Sequence, residues 1–217
     1  YFIIYFIILL LFTLTTLQVD LSSNGSHQYY KFMADKPFKL KASPYCYRIL
    51  VPLISHIIPV ENKISFFLVT YFFLTCLIIL LHDFIYKLTS DHSLAFIATL
   101  FTITIFWCMR YFVYNPYLAD PAVFVFLLLC LKFMYEERNV LFLLSFLAGI
   151  FIKENIVFVF PVFFAYSAKK EGFKKGLSNT LKWAFAPFIV YVIYRLFAFD
   201  KYLGADIISS LKLYTSS

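Results

Sequence analysis

Long apolar segments alternate with short polar ones along most of the chain. Mainly apolar segments lie at residues 1–18, 64–86, 93–113, 120–135, 140–152, 155–168 and 181–199. A helix needs about 20 apolar residues to cross the hydrocarbon core of a bilayer. The pattern therefore predicts an all-α, polytopic transmembrane helical bundle with about seven spans.

A different pattern follows the first apolar segment. Residues 19–48 are rich in Ser, Asn and Lys, and they lead into "YRILVPLISHIIPV", which is too short to cross a bilayer. Pro52, Pro59 and His56 within this segment favour a helix that lies in the membrane interface. We therefore expect residues 19–63 to form an extracytoplasmic loop that contains an interfacial helix.

Two charges interrupt a stretch that is otherwise almost wholly apolar. Lys153 and Glu154 lie side by side in "LAGIFIKENIVFVFPVFFAY". Charged side chains within a membrane are costly, and they usually face protein or water. The flanking segments "KFMYEERN" and "KKEGFKKG" are both charged, so we expect both at the cytoplasmic face. Residues 140–152 and 155–168 then form a charged helical hairpin, whose tip lies at a polar site.

Composition supports the membrane class. Hydrophobic residues make up 62% of the 217 residues, charged residues make up 14%, and the mean hydropathy is +0.82. Soluble domains are about 45–50% apolar and about 25% charged, so the chain fits neither a soluble enzyme nor a partner for nucleic acid. We expect a single transmembrane domain over residues 1–217. Because the sequence opens without Met, we also expect this domain to be a fragment of a longer chain.

Charge and metal-ligand patterns narrow the chemistry further. The net charge of +7 suits anionic lipid headgroups or a phosphate-bearing substrate, so membrane lipids are expected partners. The four Cys residues are scattered without a CxxC pair, and the His residues lack zinc-ligand spacing. We therefore expect no metal site built from these residues and no disulfide framework.

Three stretches of the chain resemble motifs of one enzyme superfamily. "YCYRILVPLI" resembles P-x-Y-R-x-L-x-P-x-L, and "NPYLADPAVFVFLLLCL" resembles the N-x-x-x-x-D-P entry to a later span. "LAGIFIKENIVFVFPVFFAY" resembles a hairpin with G-x-x-x-K/R-E followed by Pro. In this order, over residues 1–199, they resemble the GT-C superfamily of polytopic membrane glycosyltransferases, including its family 39-like members.

The resemblance implies an inverting sugar transfer at the extracytoplasmic face of a bacterial plasma (inner) membrane. The donor would be a polyprenyl-phosphate-linked sugar, and the acceptor would be a glycan, a lipid or a protein. The resemblance also implies that a carboxylate in the first outer loop removes the acceptor proton. Positive side chains or a divalent cation would offset the charge of the leaving phosphate. No other cofactor is expected.

The first outer loop departs from the pattern of the superfamily. Relatives read D-G-Q-x-Y-Y where this chain has "SHQYY", so Ser26 stands in place of the expected Asp. Asp20 is the nearest upstream carboxylate and is then the expected general base. The expected catalytic residues are therefore Asp20 and Asp120. The expected substrate-binding residues are Arg48, Lys153, Glu154, His27, Tyr29 and Tyr30.

Each of these residues also has a purely structural explanation. Asp20 would then be a solvated carboxylate at a helix end. Asp120 precedes a Pro and suits a helix N-terminus, with substrate orientation or a divalent cation as its second role. Arg48 suits a lipid headgroup as well as a substrate phosphate. Lys153 and Glu154 would pair with each other or with Asp120, and the aromatic residues would lie at the interface.

Two other function classes stay open on the sequence alone. Helices that are interrupted by charges also mark transport sites, so a lipid or solute transporter is one alternative. A transporter usually shows paired halves, and the chain has no second interruption of this kind. A non-catalytic GT-C-like membrane protein is the other alternative, because Ser26 replaces the expected Asp.

Overall fold

A computed structural model describes residues 2–16, 26–37, 45–105, 111–113 and 115–199 of the protein. These ranges consist of helices and the turns that join them, and no strand occurs within them. The all-α prediction is therefore confirmed for the described part of the chain.

The helices follow the apolar segments closely. We number them α1 to α9 in chain order, and their bounds are Phe2–Thr16, Ser26–Asp35, Leu50–Ile57, Asn62–Thr89, His92–Ile105, Asp120–Tyr135, Asn139–Ile150, Val159–Glu171 and Phe173–Phe199. Two 3-10 helices, η1 (Tyr45–Tyr47) and η2 (Glu154–Phe158), precede α3 and α8.

The predicted segment 120–135 coincides with α6. The expected N-cap role of Asp120 is wrong, because the N-cap residue is Ala119 and Asp120 and Pro121 are the first two helical residues. The last helix differs from its prediction, since α9 begins at Phe173 instead of residue 181. The stretch "FKKGLSNT" continues the helix although it is polar. An apolar pattern locates the part of a helix that is buried in protein or lipid, and it misses a polar helical extension.

The number of membrane spans is not supported to the same degree. Among the described residues, only α4 is both long and apolar enough to cross a bilayer. This single helix is weak evidence for membrane association. Parts of α1 and α5 and the whole of α7 are apolar but shorter. In the hairpin, the apolar stretch is divided between two arms, so neither arm reaches about 20 residues. The described helices therefore do not support a count of seven spans.

Helix α4 lies at the centre of the packing. It contacts α1, α2, α3, α5 and α6, and α6 in turn packs against α7. The main hydrophobic core lies around α4 and α6, where Phe66, Leu74 and Ala122 are almost fully buried. A second core joins the end of α6 to the hairpin and contains Phe142, Phe146 and Ile156.

The hairpin is formed by α7 and α8, which run antiparallel. The rings of Phe142 and Phe163 lie 4.8 Å apart between centroids, and those of Phe146 and Phe160 lie 4.5 Å apart. At the tip, Gly149 lets η2 fold back, because a Cβ atom at this position would lie 2.0 Å from Cδ1 of Ile156. The chain therefore reverses direction directly beside Lys153 and Glu154.

Candidate functional site

Three irregular segments of backbone meet at one end of the bundle. Arg48 lies between η1 and α3, and Asp120 is the first residue of α6. The backbone N–H of Leu50 donates a hydrogen bond to the carbonyl oxygen of Phe151 at 3.1 Å. This bond ties the start of α3 to the tip of the hairpin, and it brings Arg48 beside Glu154.

Four of the predicted site residues form two ion pairs here. We call Arg48, Asp120, Lys153 and Glu154 the apical cluster. Arg48 donates from Nη2 to Oε1 of Glu154 at 2.7 Å and from Nε to Oε2 at 3.3 Å. Lys153 donates from Nζ to Oδ1 of Asp120 at 2.6 Å. The first pair joins residues 106 positions apart in the sequence, and the second joins residues 33 positions apart.

Aromatic residues surround Arg48. The Arg48 guanidinium lies 5.6 Å from the centre of the Tyr45 ring. Tyr29 is stacked on Tyr45 with 4.6 Å between ring centroids, while the buried Tyr30 meets the same ring edge-on at 5.5 Å. Burial raises the pKa of the Tyr30 hydroxyl, although a hydrogen bond with Arg48 opposes this rise. Tyr45 and Tyr30 therefore fix the position of the guanidinium.

The environment keeps both members of the Arg48–Glu154 pair charged. Burial raises the pKa of Glu154, but the hydrogen bonds and charge of Arg48 outweigh it, so the pKa lies below its usual range. Burial also lowers the pKa of Arg48, but the hydrogen bonds that Arg48 donates to Glu154 and its hydrogen bond with Tyr30 reverse this, so the pKa of Arg48 lies above the usual range. The pair is therefore a true ion pair at neutral pH.

The apical cluster is electrically balanced. Two cations and two carboxylates are matched one to one, and each side chain is at least partly shielded from solvent. An anion such as a phosphate would bind here only by taking Arg48 or Lys153 from its carboxylate. The released carboxylate would then be able to accept a proton from a nearby hydroxyl. Within the described residues, no three side chains of metal-ligand type are grouped.

The N-x-x-x-x-D-P motif is held against α4. Asn115 is buried, its carbonyl oxygen accepts from the N–H of Leu118 at 3.2 Å, and Thr70 donates to the carbonyl oxygen of Pro116 at 2.7 Å. These bonds fix the turn that precedes Asp120. The sequence alone missed the roles of Thr70 and Tyr45, and only the position of Tyr45 within "YCYR" could have indicated that it contacts Arg48.

Three predicted site residues do not join the cluster in the same way. Asp20 lies outside the described residues. His27 belongs to α2, and the structure does not describe its side chain. Tyr29 reaches the cluster only through its stacking on Tyr45. The roles of all three stay predictions.

An apolar cavity of about 920 Å³ adjoins the tip of the hairpin. It lies between the hairpin and α9, and Glu154 and Lys182 are the charged residues in its lining. Its other walls are mainly apolar and include Phe146, Phe160 and Phe188. This volume is within the range of small-molecule sites, and the lining suits a hydrocarbon chain next to a polar group.

A second set of ion pairs lies at the opposite end of the bundle. We call Asp83, Lys87, Lys132 and Glu136 the basal network. Lys132 donates to Asp83 at 2.6 Å, Lys87 lies 3.7 Å from Asp83, and Lys87 also pairs with Glu136. Helix α6 separates the two sets, since it begins at Asp120 and carries Lys132 in its last turn.

Comparisons with protein-family models, with curated proteins and with solved structures found no match for this chain. The resemblance to the GT-C superfamily therefore stays a prediction.

Proposed function

We propose that this chain belongs to a GT-C-like membrane glycosyltransferase. It would move a sugar from a polyprenyl-phosphate donor to an acceptor at the extracytoplasmic face of a bacterial plasma membrane. The observation that carries this proposal is the meeting of Arg48, Asp120, Lys153 and Glu154. Each of the three motifs that resemble the superfamily supplies at least one of these residues, and a shared active site requires that they meet.

In the proposed reaction, an acceptor hydroxyl attacks the anomeric carbon of the donor sugar. The bond between this carbon and the phosphate oxygen breaks, and the proton of the hydroxyl passes to a carboxylate. Arg48 and Lys153 bind the donor phosphate and offset its charge as it leaves. Asp20 is the proposed base, while Asp120 and Glu154 give up their cations to the phosphate.

The same proposal accounts for the apolar surroundings of the site. The cavity beside Glu154 accepts part of the polyprenyl chain. Helices α1, α4, α5, α6, α7, α8 and α9 are the proposed membrane segments, and α3 is the proposed interfacial helix. The arms α7 and α8 enter and return, so the apical cluster would face the extracytoplasmic side and the basal network the cytoplasmic side.

Sugar transfer from a radiolabelled polyprenyl-phosphate donor tests this function. Membranes that contain the full-length protein are compared with those of Asp20→Asn, Glu154→Gln and the control Asp83→Asn. We expect Asp20→Asn to abolish turnover. Glu154→Gln should lower turnover by about 10²-fold, because Arg48 loses the carboxylate that positions it and misplacement of one group at a reacting centre costs about that much. Asp83→Asn should keep its turnover, since Asp83 lies in the basal network. Equal turnover in all variants would contradict the proposed site.

A non-catalytic membrane protein of the same architecture is a second candidate. The complete one-to-one pairing of the apical cluster favours this candidate. Such pairs are sufficient to hold the hairpin against α3 and α6 without any catalytic role. No turnover with any donor, together with a loss of stability in Glu154→Gln, would support this candidate over the enzyme.

A further inference from the structure

We propose that Lys169, Lys174 and Lys175 form a surface that binds the headgroups of anionic phospholipids. We call these three residues the basic surface. They lie at the end of α8 and in the first turn of α9, at the same end of the bundle as the basal network. The three lysines lie at the other end of the bundle from the apical cluster, so separate variants can test the two sites.

Close packing of α8 against α9 brings the three lysines together. A Cβ atom on Gly176 would lie 2.6 Å from the backbone of Ala168, so the two helices touch at this point. Lys169 and Lys175 are the chain neighbours of these two residues. All three lysine side chains are exposed, so the basic surface presents three cations around the turn between α8 and α9.

The acids at this end of the bundle are already engaged. Asp83 and Glu136 pair within the basal network, and Glu137 pairs with Lys170. Glu171 accepts a hydrogen bond from the Asn179 amide at 2.8 Å. Among the described residues, no ion pair involves Lys169, Lys174 or Lys175. The three lysines therefore outnumber Glu171, the carboxylate beside them that pairs with no described cation, and their excess positive charge suits an external anion.

The stability of α9 does not explain Lys174 and Lys175. A helix dipole favours acidic side chains in the first turn and disfavours basic ones. Lys169 is different, because it lies in the last turn of α8, where the dipole favours a cation. Two of the three lysines thus lie where they weaken their own helix slightly unless an anion is bound nearby.

An exposed apolar stripe distinguishes a phospholipid from a soluble anion. Along one face of α9, large apolar side chains recur every three or four residues, and each is 43–68% exposed: Phe173, Leu177, Leu181, Phe185 and Phe188. The stripe begins beside the basic surface and runs towards the apical end. A molecule with an anionic head and hydrocarbon tails would match both features. The upper part of this stripe also lines the cavity beside Glu154. Trp183 lies on another face of α9, in a small pocket with Lys170 and Glu171, and therefore reports on this end of the bundle.

A second group of three exposed lysines, at the other end of the bundle, provides a matched comparison. Lys31, Lys36 and Lys63 are also exposed, and they lie on or beside α2 and at the start of α4. Asp35 and Glu61 lie next to them in the sequence, and no described ion pair uses these two carboxylates. These three lysines have two neighbouring carboxylates, whereas the basic surface has one, Glu171, so we expect a weaker preference for anionic lipid there.

Quenching of Trp183 fluorescence by brominated lipids tests the proposal. The full chain with Trp107→Phe, so that Trp183 is the reporter, is placed in vesicles of phosphatidylcholine and phosphatidylglycerol, with one of the two lipids brominated. We expect phosphatidylglycerol to be preferred next to Trp183 by about threefold or more, since each lysine near an anionic surface contributes about one kcal/mol at most. High salt should reduce this preference.

Two triple variants test whether the preference for phosphatidylglycerol comes from the basic surface or from the general attraction between a positive chain and anionic lipid. The preference should disappear, to a ratio of about one between the two lipids, in the variant Lys169→Gln/Lys174→Gln/Lys175→Gln. It should persist in the control variant Lys31→Gln/Lys36→Gln/Lys63→Gln. Soluble glycerol phosphate should not compete. No preference in the parent protein, an equal loss in both triple variants, or competition by glycerol phosphate would each overturn the proposal. The parent measurement and its salt dependence decide the question even if a triple variant fails to fold.

Discussion

The apical cluster and the basal network contain the same kinds of residue, but they are connected differently. In the apical cluster each carboxylate has one cation, since Glu154 binds Arg48 and Asp120 binds Lys153. In the basal network Asp83 is shared by Lys87 and Lys132, and Glu136 is shared by Lys87 and Arg138. The loss of one basal cation therefore leaves its carboxylate a partner, whereas the loss of one apical cation leaves an unpaired charge.

The backbone that carries the ion pairs also differs between the apical cluster and the basal network. Three of the four basal residues lie on regular helices, in α4 and α6, and Glu136 is the residue that directly follows α6. The apical residues lie between η1 and α3, at the start of α6 and at the tip of the hairpin. In a membrane, irregular backbone is tolerated only where it lines protein or water. The comparison teaches that the position of the ion pairs, and not their chemistry, distinguishes a candidate site from a structural network.

Adding one carbon at the tip of the hairpin should have the largest effect. In Gly149→Ala, the new Cβ would lie 2.0 Å from Cδ1 of the buried Ile156 and 3.2 Å from Cβ of Phe126. We expect the free energy of unfolding to fall by about 1–3 kcal/mol, as in other overpacked cores. Chemical unfolding in detergent measures this loss. The control Ala165→Val adds atoms at an exposed position of α8 and should change stability little; an equal loss in both would contradict the close approach at the tip.

Two single variants, each of which removes one cation at one end of the bundle, should lower stability less than Gly149→Ala. They compare the apical cluster and the basal network directly. Arg48→Gln should lower the free energy of unfolding by about 1–2 kcal/mol, because Glu154 is left without its bidentate partner. Lys132→Gln should cost less than about 0.5 kcal/mol, because Asp83 keeps Lys87. Unfolding of the two variants in the same detergent provides the test. A larger loss of stability in Lys132→Gln than in Arg48→Gln would contradict the idea that shared carboxylates protect the basal network.

A fall in pH should have the smallest of the three effects, because it removes only the stability that Glu154 contributes at the apical end. The folded-state pKa of Glu154 lies below its unfolded value, because the interaction with Arg48 outweighs burial. The stability that Glu154 contributes is therefore present above its unfolded pKa of about 4.5 and is lost as the pH falls through its lower folded pKa. The thermal midpoint of the parent should drop more than that of Glu154→Gln over this window. Parallel pH profiles would show that the pair adds nothing.

The hairpin shows how much of the site could be predicted from the sequence. Two charges within an apolar stretch, between two charged flanks, predicted a reversal at Lys153 and Glu154, and the structure has its turn there. The partners of these charges could not be predicted. Pairing of Lys153 with Asp120 was one of several options, and pairing of Glu154 with Arg48 was not among them. Local patterns carry no information on which distant segment fills the space next to a turn.

The sequence by itself determined the all-helical class and the position of most helices, because apolar periodicity and Pro, Gly and charge positions act within a few residues. It also singled out the four residues of the apical cluster. Only the tertiary structure decided that these four meet, that Tyr45 and the carbonyl of Phe151 hold them, and that the basic surface is left with unpaired lysines. Such contacts depend on how whole helices pack, since charges at distant positions become partners only when the cores around α4 and the hairpin are formed.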